Sequence, residues 1–470
     1  MNARFLLVMA GFAAAAWAFR NWRKAIQVAL VLLILEGAIR KWVLPGSQDL
    51  VYFAKDVFLL GAYLGFLRRR RSADDRPPPV PVLYGALVLS IAVGLLQIFN
   101  PSLPNLLVGV FGFKAYFLYV PLLFVVPAAF PTDAELARFL KRYVLLAIPV
   151  GLLAVAQFFS PSTSFLNTYA RSTDETGYIA TFGSSEFVRV TATFSFITGY
   201  TSYLLATAIL ILAILGHGRW RLKGHLWFFI ALGMTLLGML MTGSRGPVLL
   251  MVLLLPLYWW LAVLRERGGG AAFGRLLVGL SLVGIFLVYA GQDALGAFYG
   301  RALGFEDVPS RLSSPLRSPF LLFPEVGLFG LGIGATHQSA STLAPSFLPY
   351  SWLRGLLVEA ETGRVMVELG ALGFLLVYFT RVYLAVLAFR QILVLRTRFH
   401  RALATASLLY FLTALPGGVI FDVTSGVYYW FFVGLLTTAM RLDREAVKAA
   451  QRAAIAARAA ASSPELAVVP

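Results

Sequence analysis

The chain reads as an all-α polytopic integral membrane protein with about 12–14 transmembrane helices and a large extracytoplasmic loop carrying short interfacial or re-entrant helices. Three observations predict this. Of 470 residues, 59% are hydrophobic and 13% charged, against roughly a quarter charged in an ordinary soluble domain. The apolar residues come in repeated runs of about 20, each long enough to cross a ~30 Å hydrocarbon layer as a helix. Basic residues then recur in alternate connections between these runs, as expected of cytoplasmic loops. The runs are continuous rather than alternating, which excludes a transmembrane barrel, and a mean hydropathy of +0.78 over the whole chain does not fit a soluble α/β enzyme.

The spans fall at 5–19, 25–43, 50–66, 81–99, 106–130, 143–160, 198–216, 226–242, 247–264, 274–291, 365–389, 402–418 and 426–440. The first is short, and more apolar runs follow it rather than a soluble domain, so it reads as a helix and not a cleavable leader. The run at 106–130 is predicted to be partly interfacial. Residues 1–291 thus hold ten helices with an outward loop at 161–197, and 292–364 form the large periplasmic loop. Three more helices occupy 365–440, and 441–470 is a basic cytoplasmic tail.

Orientation follows from the basic connections. Arg20, Arg23 and Lys24, Arg68 to Arg71 with Arg76, Arg138 to Arg142, Arg219 to Lys223, Arg265, Arg267 and Arg275, Arg390 to Arg401 and the tail belong to one set, which holds 26 of the 40 lysines and arginines. That side is cytoplasmic by the positive-inside rule, which leaves the N-terminus periplasmic and the C-terminus cytoplasmic. The same placement accounts for the net charge of +18 without nucleic acid. No cysteine occurs, so disulfides, thiolate metal sites and cysteine nucleophiles are excluded. A zinc site has little to be built from, and no acid cluster has a diagnostic spacing.

The outward side carries arginines that this orientation disfavours: Arg171, Arg189, Arg245, Arg301, Arg311, Arg317, Arg354 and Arg364. An arginine at membrane depth needs a partner or an anion, and its planar fork of donors suits a phosphate or diphosphate. Several have outward acids to pair with. Arg245 has none in its short turn, MTGSRGP at 241–247, where Gly243 and Gly246 let the backbone approach a ligand. Arg189 and Arg317 are the next candidates for the diphosphate. Of four histidines only His337 lies outward, after the Gly-rich GLGIGAT, where a neutral imidazole is able to take a proton from a sugar hydroxyl. Glu325, Glu359, Glu361 and Glu368 are the alternative bases. Tyr169, Tyr178, Tyr350 and Trp352 are aromatics of the two long loops, placed to stack on a bound ligand. Within the helices, Glu36, Lys55, Asp56 and Arg381 are costly in lipid, and Lys55 and Asp56 are expected to pair with Glu36 or Arg381.

With these residues in view, the chain resembles the O-antigen ligase / O-antigen polymerase superfamily of bacterial inner-membrane glycosyltransferases. The resemblance rests on FVRVTATFSFITGY at 187–200, TGSRGPVLL at 242–250, GLFGLGIGATHQ at 327–338 and RVMVELGALGF at 364–374, and spans roughly residues 80–440. It implies a multi-pass protein of the bacterial inner membrane that uses an undecaprenyl-diphosphate-linked glycan and no metal, nucleotide sugar or other cofactor. Its partners would be that glycan and the bilayer, with a chain-length regulator or a flippase beside it. The family's diphosphate-binding arginines look like Arg245, Arg189 and Arg317, and its loop histidine looks like His337. Ligases place a glycine after nine further residues, where this chain has Leu348. The first expectation is therefore a polymerase of O-antigen or exopolysaccharide repeat units, the second a ligase onto lipid A core, and the third a flippase or exporter.

Overall fold

The computed structural model describes residues 3–69, 79–170, 179–182, 187–217, 222–263, 281, 284–285, 287–289, 291–303, 308–344 and 360–462. All regular elements among them are helices: α1 (Ala3–Arg20), α2 (Trp22–Ala38), α3 (Gln48–Tyr52), α4 (Ala54–Arg68), α5 (Pro81–Ile98) and α6 (Leu106–Phe117) come first. They are followed by α7 (Leu122–Ala129), α8 (Asp133–Leu145), α9 (Ala147–Phe158), α10 (Ile197–His217), α11 (Leu222–Met241) and α12 (Arg245–Val263). The last six are α13 (Gln292–Leu303), α14 (Val308–Val326), α15 (Gln338–Leu343), α16 (Glu361–Val394), α17 (Arg398–Ala414) and α18 (Val423–Ser462).

Among the described residues, six segments are long and apolar enough to cross a membrane: Pro45–Arg68, Pro81–Ile98, Asp133–Phe158, Ile197–Gly216, Glu361–Val394 and Val423–Ala456. A seventh follows if α6 and α7, bent by 43° across a four-residue break, count as one span. The bend ends at Pro121, which lacks the N–H that a continuing helix would need. Phe5–Arg20, His225–Met241 and Arg245–Leu261 are shorter apolar helices. Helices α2 and α17, of 17 residues each, complete the bundle. Most of the predicted run at 274–291 lies outside the described residues. Helices α10 and α18 run through the centre, with 78% and 89% of their most apolar stretches buried.

The helix starts are set by local chemistry. The Asn105 side chain accepts from Val108 N at the head of α6 (3.1 Å). Thr132 does the same for Glu135 N at α8 (3.3 Å), and Thr397 for His400 N at α17 (3.1 Å).

One helix is broken in a way that shapes everything near it. Within α16, Gly370 has φ +65°, so the helix stops and restarts at that point. The break frees backbone groups that would cost several kcal/mol each if left unpaired in an apolar surrounding. A glycine-rich segment from the end of α14 meets them: Leu331 N donates to Val367 O (2.8 Å) and Gly332 N to Glu368 O (3.1 Å). In the other direction Ala371 N donates to Gly327 O (3.1 Å) and Leu372 N to Leu328 O (3.2 Å). A Cβ on Gly330 or Gly370 would run into the other's backbone. This is the Gly-rich stretch noted in the sequence before His337, and nothing in the sequence pointed to Gly370 as its partner.

Candidate functional site

A cavity of about 180 Å³ opens where α2 ends and α10, α16 and α18 begin. Its walls include Glu36 of α2, Arg40 in the π-helical turn that follows it, Lys55 of α4, His337, Arg364 of α16 and Asp422 from the turn before α18. The volume is below the roughly 300–1,000 Å³ of a pocket that encloses a whole small ligand, so it suits the head of a longer one. The opposite end of the bundle gathers a different cluster. There His400 Nε2 meets Asp133 (2.8 Å) and its Nδ1 meets Asp443 (3.2 Å), while Arg441 donates to Phe130 O (2.9 Å). That end also carries the basic connections counted in the sequence.

The α2–α4 wall is a charge network. Lys55 Nζ donates to Glu36 Oε2 (2.6 Å) and to Tyr52 O (2.9 Å). Arg40 lies 3.7 Å from the other Glu36 oxygen and donates to Ser195 Oγ (2.9 Å). Next to it, Lys41 Nζ donates to Thr191 Oγ1 (3.1 Å) and Ala192 O (2.6 Å), which pins the non-helical chain leading into α10. Gln157 holds the same stretch by accepting from Ala192 N (2.7 Å).

The facing wall is built by the break in α16. Arg364 and Glu368 stand one turn apart there and both grip Thr336, the residue before His337. Glu368 Oε1 accepts from Thr336 N (2.9 Å) and from its hydroxyl (2.7 Å). Arg364 Nε donates to that hydroxyl oxygen (3.1 Å), and its Nη2 donates to the Thr336 carbonyl. The guanidinium lies over the Phe421 ring at 3.7 Å. Among the described residues no carboxylate comes within ion-pair distance of Arg364. The His337 ring runs nearly parallel to Phe111, with 6.3 Å between centroids. Burial, then the charges of Arg364 and Lys114, push the imidazole down to about 4, so it is neutral near pH 7.

The floor of the cavity is set by Glu361. Its Oε1 accepts from Arg381 (2.5 Å), and its Oε2 accepts from Ile420 N (2.7 Å) and Phe421 N (3.3 Å), which orients the turn carrying Asp422. Burial raises the Asp422 carboxyl above its ordinary value, against hydrogen bonds from Ser202 Oγ (2.6 Å) and the Thr424 and Ser425 amides.

The residues expected from sequence are thus distributed. His337 lines the cavity, and Glu368 lies buried one residue behind it. Arg189 and Arg245 share a separate corner at the turn between α11 and α12. There Arg189 donates to Thr242 O (2.8 Å) and Ser244 Oγ (3.2 Å), around Gly243 with φ +62°. Arg317 and Glu325 are exposed on α14. The Tyr169 ring packs against Phe196 of the cavity wall, with 6.0 Å between centroids. Tyr178, Tyr350, Trp352 and Glu359 lie outside the described residues.

The buried charges are paired, but not all as expected. Lys55 takes Glu36, as anticipated. Asp56, however, meets Lys114 (2.7 Å) and the Tyr119 hydroxyl (3.0 Å), and Arg381 meets Glu361. Lys114 sits inside an apolar run and drew no notice there.

Arg40 and Asp422 were missed as site residues. The signal for Arg40 was available, since Arg40 and Lys41 close the apolar run at 25–43. Among the described residues no three His, Cys, Asp or Glu side chains converge as a metal-ligand set. No protein-family model matches the chain, and no curated protein matches it.

Proposed function

We propose that this cavity is the active site of a membrane glycosyltransferase that polymerises undecaprenyl-diphosphate-linked repeat units on the periplasmic side of the bacterial inner membrane. The observation that carries this reading is the pairing of Arg364, a cation with no carboxylate within ion-pair distance among the described residues, with a neutral His337 on the same cavity wall. A guanidinium held this way is a ready site for a diphosphate, and a neutral imidazole has a lone pair for a hydroxyl proton. The motifs quoted above from 187–200, 242–250, 327–338 and 364–374 add the glycan-lipid class.

In this account the donor's diphosphate lies between Arg364 and Arg40. The acceptor hydroxyl oxygen attacks the anomeric carbon, the carbon–oxygen bond to the diphosphate breaks, and the diphosphate leaves with the electron pair. His337 takes the hydroxyl proton, while the arginines stabilise the charge developing on the leaving group. The glycan extends out of the cavity, past Tyr169 and Phe196. The interior charges Asp56 and Arg381 are each tied to a partner, which favours chemistry at one face over transport through the bundle.

The test uses purified protein in nanodiscs with an undecaprenyl-diphosphate-linked repeat unit, without metal or nucleotide. The expected result is a ladder of longer lipid-linked chains, lost in Arg364→Ala and His337→Ala. Transfer only onto added lipid A core would make the protein a ligase. Donor that stays intact but changes leaflet would make it a flippase and overturn the catalytic reading.

A further inference from the structure

Glu368 is fully buried, at 0% exposure, and is not among the residues that line the cavity. It nevertheless grips the loop that carries His337 at two points. Its backbone carbonyl, freed by the break at Gly370, accepts from Gly332 N (3.1 Å). Its Oε1 accepts both the amide and the hydroxyl of Thr336. Arg364 takes the remaining polar group of Thr336, its carbonyl, and also donates to the hydroxyl oxygen. Every hydrogen-bonding group of Thr336 is therefore held by one helical turn of α16. His337 follows directly, with its own amide donating back to Gly334 O (2.9 Å).

We propose that Glu368 is a positioning residue: by clamping Thr336 against Arg364 it fixes where His337 stands in the cavity. This rests on the catalytic reading above and deepens it. A carboxyl in this place does not itself reach a substrate. Its contribution is geometric, because a reacting group displaced by about 1 Å loses on the order of 100-fold in rate. The same two bonds explain why Arg364 stays available to a ligand. They engage Nε and Nη2 and not Nη1, and Arg364 lines the cavity.

Both side-chain bonds to Thr336 end on Oε1, and this separates a clamp from a base. A glutamine keeps that oxygen and loses the charge, whereas a leucine loses both. In the polymerisation assay, Glu368→Gln is expected to keep kcat within about threefold, and Glu368→Leu to lose about 100-fold in kcat with donor KM nearly unchanged. Thr336→Val, which retains the buried acid, is expected to lose about tenfold in kcat and serves if the leucine variant does not fold. An equal loss in Glu368→Gln and Glu368→Leu would overturn the clamp and make the carboxyl itself a participant. Wild-type kcat in a folded Glu368→Leu or Thr336→Val protein would overturn it too.

A second readout is independent of turnover. Carbethoxylation of His337 by diethyl pyrocarbonate, followed by peptide mass analysis, is expected to be flat from pH 5.5 to 7.5 in the wild type, from its pKa of about 4. Released from the clamp in Glu368→Leu or Thr336→Val, the imidazole is expected to react faster at neutral pH and to slow below about pH 6.5. If the wild type elongates no donor, the catalytic reading fails while this profile still decides the clamp, and an unchanged profile in both variants refutes it.

Discussion

Acid is the most informative perturbation of this site. His337 is held at about 4 by burial first, and then by the charges of Arg364 and Lys114. At pH 5.5 a group with that pKa is only about 3% protonated, whereas an unperturbed histidine at about 6.5 would be about 90% protonated. Because kcat/KM reports the free enzyme, the wild type is expected to lose less than about a tenth of kcat/KM between pH 7.5 and 5.5. A histidine with an ordinary pKa would lose roughly tenfold. The acid limb of kcat should lie at higher pH than that of kcat/KM, since a bound diphosphate offsets the Arg364 charge and favours the imidazolium. The assay is initial-rate elongation of a lipid-linked repeat unit across pH 4–8, and a kcat/KM limb centred at pH 6–7 would refute the assignment of His337 in this environment. The sign for stability runs the same way. Between pH 4 and 6.5 the unfolded chain binds the His337 proton and the folded one does not, so this contribution is complete above about 6.5 and is lost as pH falls toward 4.

Three further outcomes follow from the geometry. Glu361→Gln leaves Arg381, 3% exposed, without its carboxylate and is expected to destabilise by about 3–5 kcal/mol. It would be seen as earlier thermal unfolding in detergent, with a wild-type melt contradicting the pairing. Gly370→Ala forces a side chain into positive φ and against the Leu328 carbonyl, costing about 2–4 kcal/mol. An unchanged melt would mean that the break does not depend on glycine. Arg40→Gln removes one arm of the anion site, and donor KM is expected to rise roughly tenfold or more with kcat little altered. A loss confined to kcat would move Arg40 from donor binding to the chemical step.

Much of the bundle was legible because a run of about 20 apolar residues has few soluble alternatives. The sequence singled out Arg189, Arg245, Arg317 and His337 as polar groups in unfavourable places, and of these His337 lines the cavity. What stayed hidden depends on contacts distant in sequence. RVMVELGALGF at 364–374 reads as an unbroken helix, and only the loop at 327–332 supplies the bonds that let it break. Glu368 looked like a candidate base because the sequence gives its side but not its burial. Arg189 was a diphosphate candidate in the sequence, and the structure adds that the turn around Gly243 aims the Thr242 carbonyl and Ser244 at it. Asp422 and Arg40 come from segments more than 350 residues apart, and only folding brings them into one cavity.

The central claim is that a lipid diphosphate seats in the cavity between Arg40 and Arg364. The direct measurement is photocrosslinking in nanodiscs with an undecaprenyl diphosphate analogue carrying its reactive group beside the diphosphate, followed by peptide mapping. Labelling is predicted on peptides containing 36–40, 194–199, 336–338 and 420–424, competed by unmodified undecaprenyl diphosphate and abolished in Arg364→Ala. Competed labelling confined to the turn at 242–247, with none on the cavity peptides, would place the diphosphate at Arg189 and Arg245 and contradict the account.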